Sequence, residues 1–183
     1  MKRSKQSHWR SQDWRPYANK KARSDYLLDI IPPIEKDAAI LEVGCNCGRN
    51  LWWLQQSGYT SLAGIDINEA ALNSGYFKLK ADLQMGDIES QPLPYKDGQF
   101  DLVFTMAVLE HIYNDRILDE IVRVSKEYVL EIEDEDHETA THKIWDYSKE
   151  FQKRGLIQLW LDQRASAVFG GGFKARLFRK VEK

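Results

Sequence analysis

Two acidic residues and a glycine turn stand at a spacing that suits the binding of a nucleoside. The apolar run 38–43 leads into the turn Glu42-Val-Gly-Cys-Asn-Cys-Gly48, and the next apolar run, 61–66, ends in Asp66. In a strand–turn–helix–strand unit, a carboxylate about 20 residues after the first glycine accepts hydrogen bonds from ribose hydroxyls. The interval from Gly44 to Asp66 fits this rule. The sequence therefore predicts a nucleoside site at the carboxyl ends of two neighbouring parallel strands.

The composition of the turn disfavours cofactors that carry phosphate. A dinucleotide fingerprint needs Gly-x-Gly-x-x-Gly, whereas Asn46 takes the place of the second glycine and Gly48 comes too early. The Gly-Lys-Ser/Thr of a P-loop is also absent from the turn. Cys45 and Cys47 are too close for an unstrained disulfide, and two thiolates alone do not make a zinc site. We therefore interpret both cysteines as small side chains of a tight turn.

Length and composition indicate one globular domain with a sizeable core. The chain has 183 residues, of which 43% are hydrophobic and 30% charged, and its net charge is -2. This balance points neither to a nucleic-acid partner nor to a membrane. No apolar run could span a bilayer, and the N-terminus lacks the apolar centre typical of a signal peptide. We expect a cytoplasmic protein, and the sequence leaves its oligomeric state open.

Apolar runs and helical periodicity alternate along the chain, which favours a mainly parallel sheet. Helices are predicted at 24–31, 48–57, 68–79, 112–124 and 147–154. Strands are predicted at 38–43, 61–66, 83–86, 100–105, 127–132, 156–161 and 174–181. Because residues 162–173 show no helical pattern, the last two strands should pair antiparallel. The predicted fold class is α/β: a Rossmann-like seven-stranded sheet, mostly parallel, with a C-terminal antiparallel hairpin and helices on both faces.

Residues 1–23 form a basic and aromatic N-terminal arm, and residues 24–183 are predicted to form a single domain. The arm carries eight lysines and arginines against one acidic residue, together with Trp9, Trp14 and Tyr17. A solvated terminus is the common outcome for such a segment. The alternatives are contact with an anionic substrate or RNA, and closure over the site as a lid.

Four motifs, taken in order, resemble those of the class I S-adenosylmethionine-dependent methyltransferases. They are the turn Glu42–Gly48, the segments Gly64-Ile-Asp-Ile67 and Gly86-Asp-Ile88, and the run from Phe100 to Ile112 that contains Leu-Glu-His. The resemblance covers about residues 25–133, and the predicted C-terminal hairpin also fits it. It implies S-adenosylmethionine as the cofactor. This molecule carries no phosphate, which agrees with the composition of the turn.

The resemblance assigns the turn to the methionine portion of the cofactor. Gly44, Asn46 and Gly48 would form the loop beneath it, and Glu42 would organise that loop. Most members of the family have glycine where this chain has Asn46, although some relatives share the asparagine. We expect the substitution to reshape the loop slightly without removing cofactor binding.

The resemblance assigns the next strand ends to the adenosine portion. Asp66 would bind the ribose hydroxyls, and Ile67 would pack on the adenine. Asp87 would face the adenine amino group, with Ile88 contributing backbone contacts. Met106 would lie beside the methionine portion or the adenine. Taken singly, Asp66 could instead cap a helix, and Asp87 could be a turn residue.

His111 is the candidate catalytic residue. Methyl transfer from a sulfonium is an in-line displacement, in which the enzyme aligns the acceptor and excludes water. An acceptor hydroxyl or protonated amine must also lose a proton to a base. Imidazole is the side chain best suited to accept a proton at neutral pH, and His111 follows the fourth predicted strand. The alternative is that His111 shapes the loop beside the cofactor.

The acceptor site is predicted by elimination, because no long insertion could build a separate domain for it. The arm and the loop 134–147 remain, and they supply the candidates Trp14, Tyr17, His137 and Tyr147. The acidic segment 131–138, together with His142, could hold a divalent cation, but it lacks a distinctive ligand spacing. No metal site is predicted.

The leading hypothesis is methyl transfer to a hydroxyl or amine of a small molecule, without a nucleic-acid or membrane partner. A weaker resemblance to bacterial methylases associated with sialic-acid-like sugars rests on Asn46, the segment 127–131 and Asp146-Tyr147. It implies a sugar or sugar-nucleotide acceptor. The alternatives are an RNA or protein methyltransferase, which the basic arm favours, and a non-catalytic partner protein that binds S-adenosylmethionine.

Overall fold

The structure, a computed structural model, describes residues 5–75, 77–139 and 142–181. Seven strands within these ranges form one sheet. In chain order they are β1 (Ala39–Val43), β2 (Ser61–Asp66), β3 (Asp82–Met85), β4 (Phe100–Met106), β5 (Ser125–Asp134), β6 (Leu156–Asp162) and β7 (Phe173–Lys180).

The order of the strands across the sheet is β3-β2-β1-β4-β5-β7-β6. Strands β1 to β5 are parallel to one another, whereas β7 runs antiparallel to both β5 and β6. The predicted Rossmann-like sheet and its C-terminal antiparallel hairpin are therefore confirmed. The strand order reverses between β1 and β4, and in such sheets ligands bind outside the carboxyl ends of the strands at this reversal.

Helices connect most of the strands. The α-helices of the described residues are α1 (Lys5–Arg10), α2 (Arg15–Ala18), α3 (Lys21–Ile30), α4 (Arg49–Gln56), α5 (Glu69–Leu72), α6 (Arg116–Val124), α7 (Tyr147–Lys153) and α8 (Ala165–Phe169). A short 3-10 turn, Leu109–His111, follows β4. Within the described ranges, no helix is long and apolar enough to cross a membrane.

The core lies on both faces of the sheet because side chains alternate along each strand. On β1, Leu41 and Val43 join the cluster that includes side chains of α6 and α7. Ile40, which directly precedes Leu41 and points to the opposite face, joins the cluster that includes side chains of α3, α4 and α8. α6 supplies buried residues at helical spacing, among them Ile117 and Ile121. The prediction of helices on both faces is confirmed.

Two segments differ from the sequence prediction. The helix predicted at 68–79 spans only α5, because the chain turns at 73–75, where Gly75 has a left-handed φ of 59°. Residues 162–173, predicted to lack a helix, contain α8, whose five residues are too few to show a periodic pattern. Tyr76 of the predicted helix and residues 1–4 of the arm lie outside the described residues.

Candidate active site

A cavity lies at the carboxyl ends of β1 to β4, where the strand order reverses. This is the place in an open α/β sheet at which ligands bind. Many of the residues predicted for the site line the cavity: Tyr17, Glu42, Gly44, Asn46, Asp66, Ile67, Asp87, Ile88, Met106 and His111.

Glu42 presents a buried carboxylate oxygen to the cavity. Its Oε1 accepts a hydrogen bond from Nδ2 of Asn50 at 2.6 Å, whereas its Oε2 is buried without a hydrogen-bond partner among the described residues. Burial raises the pKa of Glu42 to about 8, against the opposing effects of Asn50 and Arg49. A buried carboxyl oxygen without a partner is costly, so a ligand that forms a hydrogen bond with it would relieve that cost.

Asp66 joins the ends of β1 and β2. Its Oδ2 accepts the backbone N–H of Asn46 at 2.8 Å, and its Oδ1 accepts the backbone N–H of Asn68 at 2.8 Å. Burial raises the pKa of Asp66, and these N–H donors partly offset the rise. Each carboxylate oxygen has a second lone pair, so Asp66 can accept hydroxyl donors while it holds the turn.

The turn after β1 adopts a conformation that few residues tolerate. Asn46 has a φ of 50°, in the left-handed region that glycine favours and that asparagine tolerates better than most residues. This explains why asparagine can stand where the family pattern has glycine. Gly64 permits the close approach of the turn to β2, since a Cβ there would lie 2.7 Å from Sγ of Cys45. Cys45 and Cys47 are both buried free thiols.

A second residue that lines the cavity has a strained backbone. Ala107, directly after β4, has a φ of 57° and lines the cavity. A left-handed alanine is uncommon and is tolerated only where neighbouring contacts impose it. Its backbone N–H donates to the carbonyl of Ile132 at 2.9 Å, which fixes the chain between β4 and β5. Strain of this kind clusters at functional sites.

The N-terminal arm lies against the cavity. Trp9, Gln12 and Tyr17 line it, and Nη2 of Arg10 contacts Oδ2 of Asp87 at 3.3 Å. The indole of Trp9 lies over the imidazole of His111 with 4.2 Å between the ring centroids. These contacts join the arm both to the predicted adenine side of the site and to the candidate catalytic residue.

His111 is held on a turn that a buried carboxylate organises. Oε2 of Glu133 accepts the backbone N–H groups of Val108 and Leu109, at 2.9 and 3.0 Å, at the start of the 3-10 turn. Burial raises the pKa of Glu133. Nε2 of His111 lies 3.4 Å from Oε1 of the buried Glu110. The imidazole is therefore positioned by its own turn, by Glu110 and by Trp9.

Four of the predicted site residues do not line the cavity. Gly48 lies just before α4 with a φ of 76°, and Trp14 packs on a small cluster that contains Cys47. His137 is exposed and pairs with Asp134 at 3.0 Å. Tyr147 is fully buried in the core, because α7 turns it inward.

Asp146 and Tyr147, the residue pair of the weaker resemblance, have structural roles. Oδ1 of Asp146 accepts the backbone N–H of Lys149 at 3.0 Å and so caps α7. Tyr147 opens that helix, and its ring belongs to the core cluster with Phe151 one turn later. Neither residue lines the cavity, so the pair gives no support to an acceptor role.

Several polar residues that were not predicted from the sequence also line the cavity, among them Arg23, Arg49 and Asn50. Arg49 donates to Oγ of Ser24 at 2.9 Å and to the carbonyl of Tyr17 at 2.7 Å, which ties the arm to α4. Arg49 and Asn50 could have been predicted from the sequence, because they directly follow the glycine turn. Arg23 has no comparable signal, since only the packing of α3 brings it to the cavity.

The stability of the protein should fall as the pH rises from about 5 to 8. Burial raises the pKa of Glu42 to about 8 and also raises that of Glu131, so the folded protein keeps protons that the unfolded chain releases above its ordinary carboxyl pKa. A raised carboxyl pKa therefore makes unfolding more favourable as the pH increases. Urea denaturation at several pH values in this range measures the slope of the free energy of unfolding.

The variant Glu42→Gln should flatten that slope by up to about 1.4 kcal/mol per pH unit, because one titrating group is lost while the side-chain shape is kept. Glu69→Gln makes the same chemical change at an exposed position of α5 and serves as the control. Equal slopes in the two variants would contradict the assignment of the pH dependence to Glu42.

Comparison with known proteins finds similarity to methyltransferases in the central part of the chain. A family model described as a methyltransferase domain matches residues 41–128. The chain is 33% identical over 110 residues to a tRNA U34 carboxymethyltransferase of Psychromonas ingrahamii, covering 57% of this chain and 30% of that protein. It is 30% identical over 101 residues to norajmaline N-methyltransferase of Rauvolfia serpentina, covering 51% and 34%. The chain thus spans about a third of the length of the curated relatives it matches.

Solved structures share the whole fold at low sequence identity. One is a methyltransferase solved in complex with the Trm112 methyltransferase activator of Haloferax volcanii; it has a TM-score of 0.80 and 14% identity, with full coverage of both chains. A SAM-dependent methyltransferase of Aquifex aeolicus has a TM-score of 0.69 and 17% identity, covering 98% of this chain and 100% of that one. Since a tRNA-modifying enzyme is among the relatives, the prediction that disfavours a nucleic-acid partner is not supported.

Proposed function

The chain belongs to the class I S-adenosylmethionine-dependent methyltransferases, and from this premise we propose that it methylates a hydroxyl or amine of a small molecule. The main support for the proposal is that the N-terminal arm lies against the cavity. Trp9 and Tyr17 line the cavity, and Arg10 contacts Asp87, so the acceptor must fit beneath a segment of the same chain. Sugars and sugar nucleotides are the first acceptors to test.

The carboxyl ends of β1 and β2 fit the cofactor by their chemistry. S-adenosylmethionine supplies an activated methyl group when it is bound. Asp66 has acceptor capacity for ribose hydroxyls, and Oε2 of Glu42 is a buried oxygen that a hydrogen-bonding group on the methionine portion would satisfy. Arg23 and Arg49 place positive charge on the same cavity wall, which suits the carboxylate of the methionine tail.

We propose that His111 accepts the proton of the acceptor. The imidazole lines the cavity, and the contacts of Glu110 and Trp9 restrict its orientation. A base held in this way within reach of the acceptor removes its proton as the new bond forms. The arm, residues 1–23, would exclude water from the reacting groups as a lid, and residues 24–183 would form the catalytic domain.

RNA is the second candidate acceptor. Two observations favour it: the likeness to a tRNA U34 carboxymethyltransferase, and the eight basic residues of the arm. A nucleotide extruded from single-stranded RNA could enter the cavity while the arm contacts phosphates. Binding of this kind would weaken steeply with salt, whereas a small neutral acceptor would not show such a dependence.

A transfer assay with tritium in the methyl group of S-adenosylmethionine tests both candidates. The purified protein is incubated with separate panels of sugar nucleotides, small amines and bulk RNA. The proposal predicts label in a small acceptor and none in RNA. Label in RNA alone would contradict the small-molecule acceptor and support the second candidate.

A further inference from the structure

Two imidazoles converge on one buried carboxylate beside the cavity. Oε1 of Glu110 lies 3.4 Å from Nε2 of His111 and 3.6 Å from Nε2 of His142. The ligand atoms of the three side chains all lie within 4.8 Å of one another. Ligands about 2.1 Å from a tetrahedral zinc ion are about 3.4 Å apart, so a cation could enter the cluster with small shifts.

Outer contacts orient two of these three groups, Glu110 and His142. Oε2 of Glu110 accepts the backbone N–H of Asp134 at 2.8 Å, while Oε1 faces the two imidazoles. Nδ1 of His142 lies 2.7 Å from Oγ1 of Thr139, while its Nε2 faces Glu110. Partners of this kind on the far side of a ligand fix its orientation and are typical of metal sites.

The backbone also joins the two segments that carry the cluster. The N–H of Lys143 donates to the carbonyl of Glu110 at 2.7 Å, next to the imidazole of His142. This bond docks the loop after β5 on the 3-10 turn after β4. The cluster could not be predicted from the sequence, since His111 and His142 are far apart in the chain and only this docking brings them together.

We propose that Glu110, His111 and His142 bind a divalent transition-metal ion, with zinc as the first metal to test. Two imidazoles and one carboxylate are a ligand set that proteins use for zinc and for other divalent transition metals, and three protein ligands leave a coordination position for water or a substrate. The cluster adjoins the cavity, because His111 belongs to both.

If His111 accepts the proton of the acceptor, as proposed above, a bound cation should change turnover. A metal ion on Nε2 of His111 takes the position at which this nitrogen would accept a proton. Turnover of the metal-loaded protein should therefore differ from that of the metal-free protein. The binding of the metal itself depends only on the three ligands and needs neither cofactor nor acceptor.

Calorimetric titration of the metal-stripped protein with zinc chloride, without cofactor or acceptor, tests the site. We expect one zinc ion per chain. The variant His142→Asn should weaken binding at least about 100-fold, since the loss of an outer partner alone costs 10–100-fold. His142 is partly exposed, so the variant should fold. His137→Asn removes an exposed histidine of the same loop and should leave the affinity for zinc unchanged.

Visible absorption of bound cobalt(II) gives a second readout, which His142→Asn should abolish and His137→Asn should retain. Failure of the wild-type protein to bind one zinc ion per chain would overturn the proposal, as would equal affinity in the His142 and His137 variants. Failure of the proposed function is detected separately, as absence of cofactor binding or methyl transfer, and leaves the zinc titration unaffected.

Discussion

Replacement of Asp66 by alanine should lower the affinity for S-adenosylmethionine by about 1.5–3 kcal/mol, or about 10- to 150-fold. The variant loses charge-assisted hydrogen bonds to the ribose hydroxyls. It also loses the acceptor that holds the backbone N–H groups of Asn46 and Asn68 at 2.8 Å, so the turn beneath the cofactor becomes less ordered. Both effects act in the same direction, and calorimetric titration with S-adenosylmethionine measures their sum.

Asp101→Ala is the matched control for this prediction. Oδ2 of Asp101 also accepts a backbone N–H, that of Ala39 at 2.9 Å, but it does so where β1 and β4 begin, at the far edge of the sheet from the cavity. This variant should lose stability without losing cofactor affinity. An Asp66→Ala protein that is folded and binds the cofactor as tightly as Asp101→Ala would show that Asp66 does not bind the ribose.

Replacement of His111 by phenylalanine should reduce kcat at least about 100-fold while the dissociation constant for S-adenosylmethionine stays within a few-fold of the wild type. Phenylalanine keeps an aromatic ring for Trp9 to pack against but has no nitrogen to accept a proton. Single-turnover kinetics with the acceptor found in the transfer assay measures the effect on the chemical step.

The comparison of His111→Phe with His111→Ala separates two roles of this side chain. If the nitrogen is essential, both variants should be equally inactive. If the ring serves only as a support for Trp9 and the arm, His111→Phe should retain nearly normal turnover while His111→Ala loses it. The second pattern would contradict a chemical role for His111.

The fold could be predicted from the sequence because its signals are local. Apolar runs such as 100–105 mark strands buried on both faces, and the spacing of Ile117 and Ile121 marks a helix. The cofactor site could also be predicted from local signals, the turn Glu42–Gly48 and Asp66. Each follows a strand, and a parallel sheet places the ends of these two strands side by side. α8 was missed because five residues carry no readable period.

The parts of the site that depend on tertiary packing could not be predicted. Arg23 reaches the cavity only through the packing of α3, and Tyr147 is directed into the core rather than toward an acceptor. The cluster of Glu110 with His142 forms where one loop docks on another. No spacing in the sequence encodes such contacts, because their partners are distant in the chain.

Calorimetric titration of the wild-type protein with S-adenosylmethionine, and separately with S-adenosylhomocysteine, tests the proposed site most directly. The geometry of Glu42, Asp66 and the turn between them predicts one site per chain with a micromolar dissociation constant. This corresponds to a binding free energy of about -8 kcal/mol. Absence of binding of either compound to the folded protein would contradict the assignment of this cavity to the cofactor.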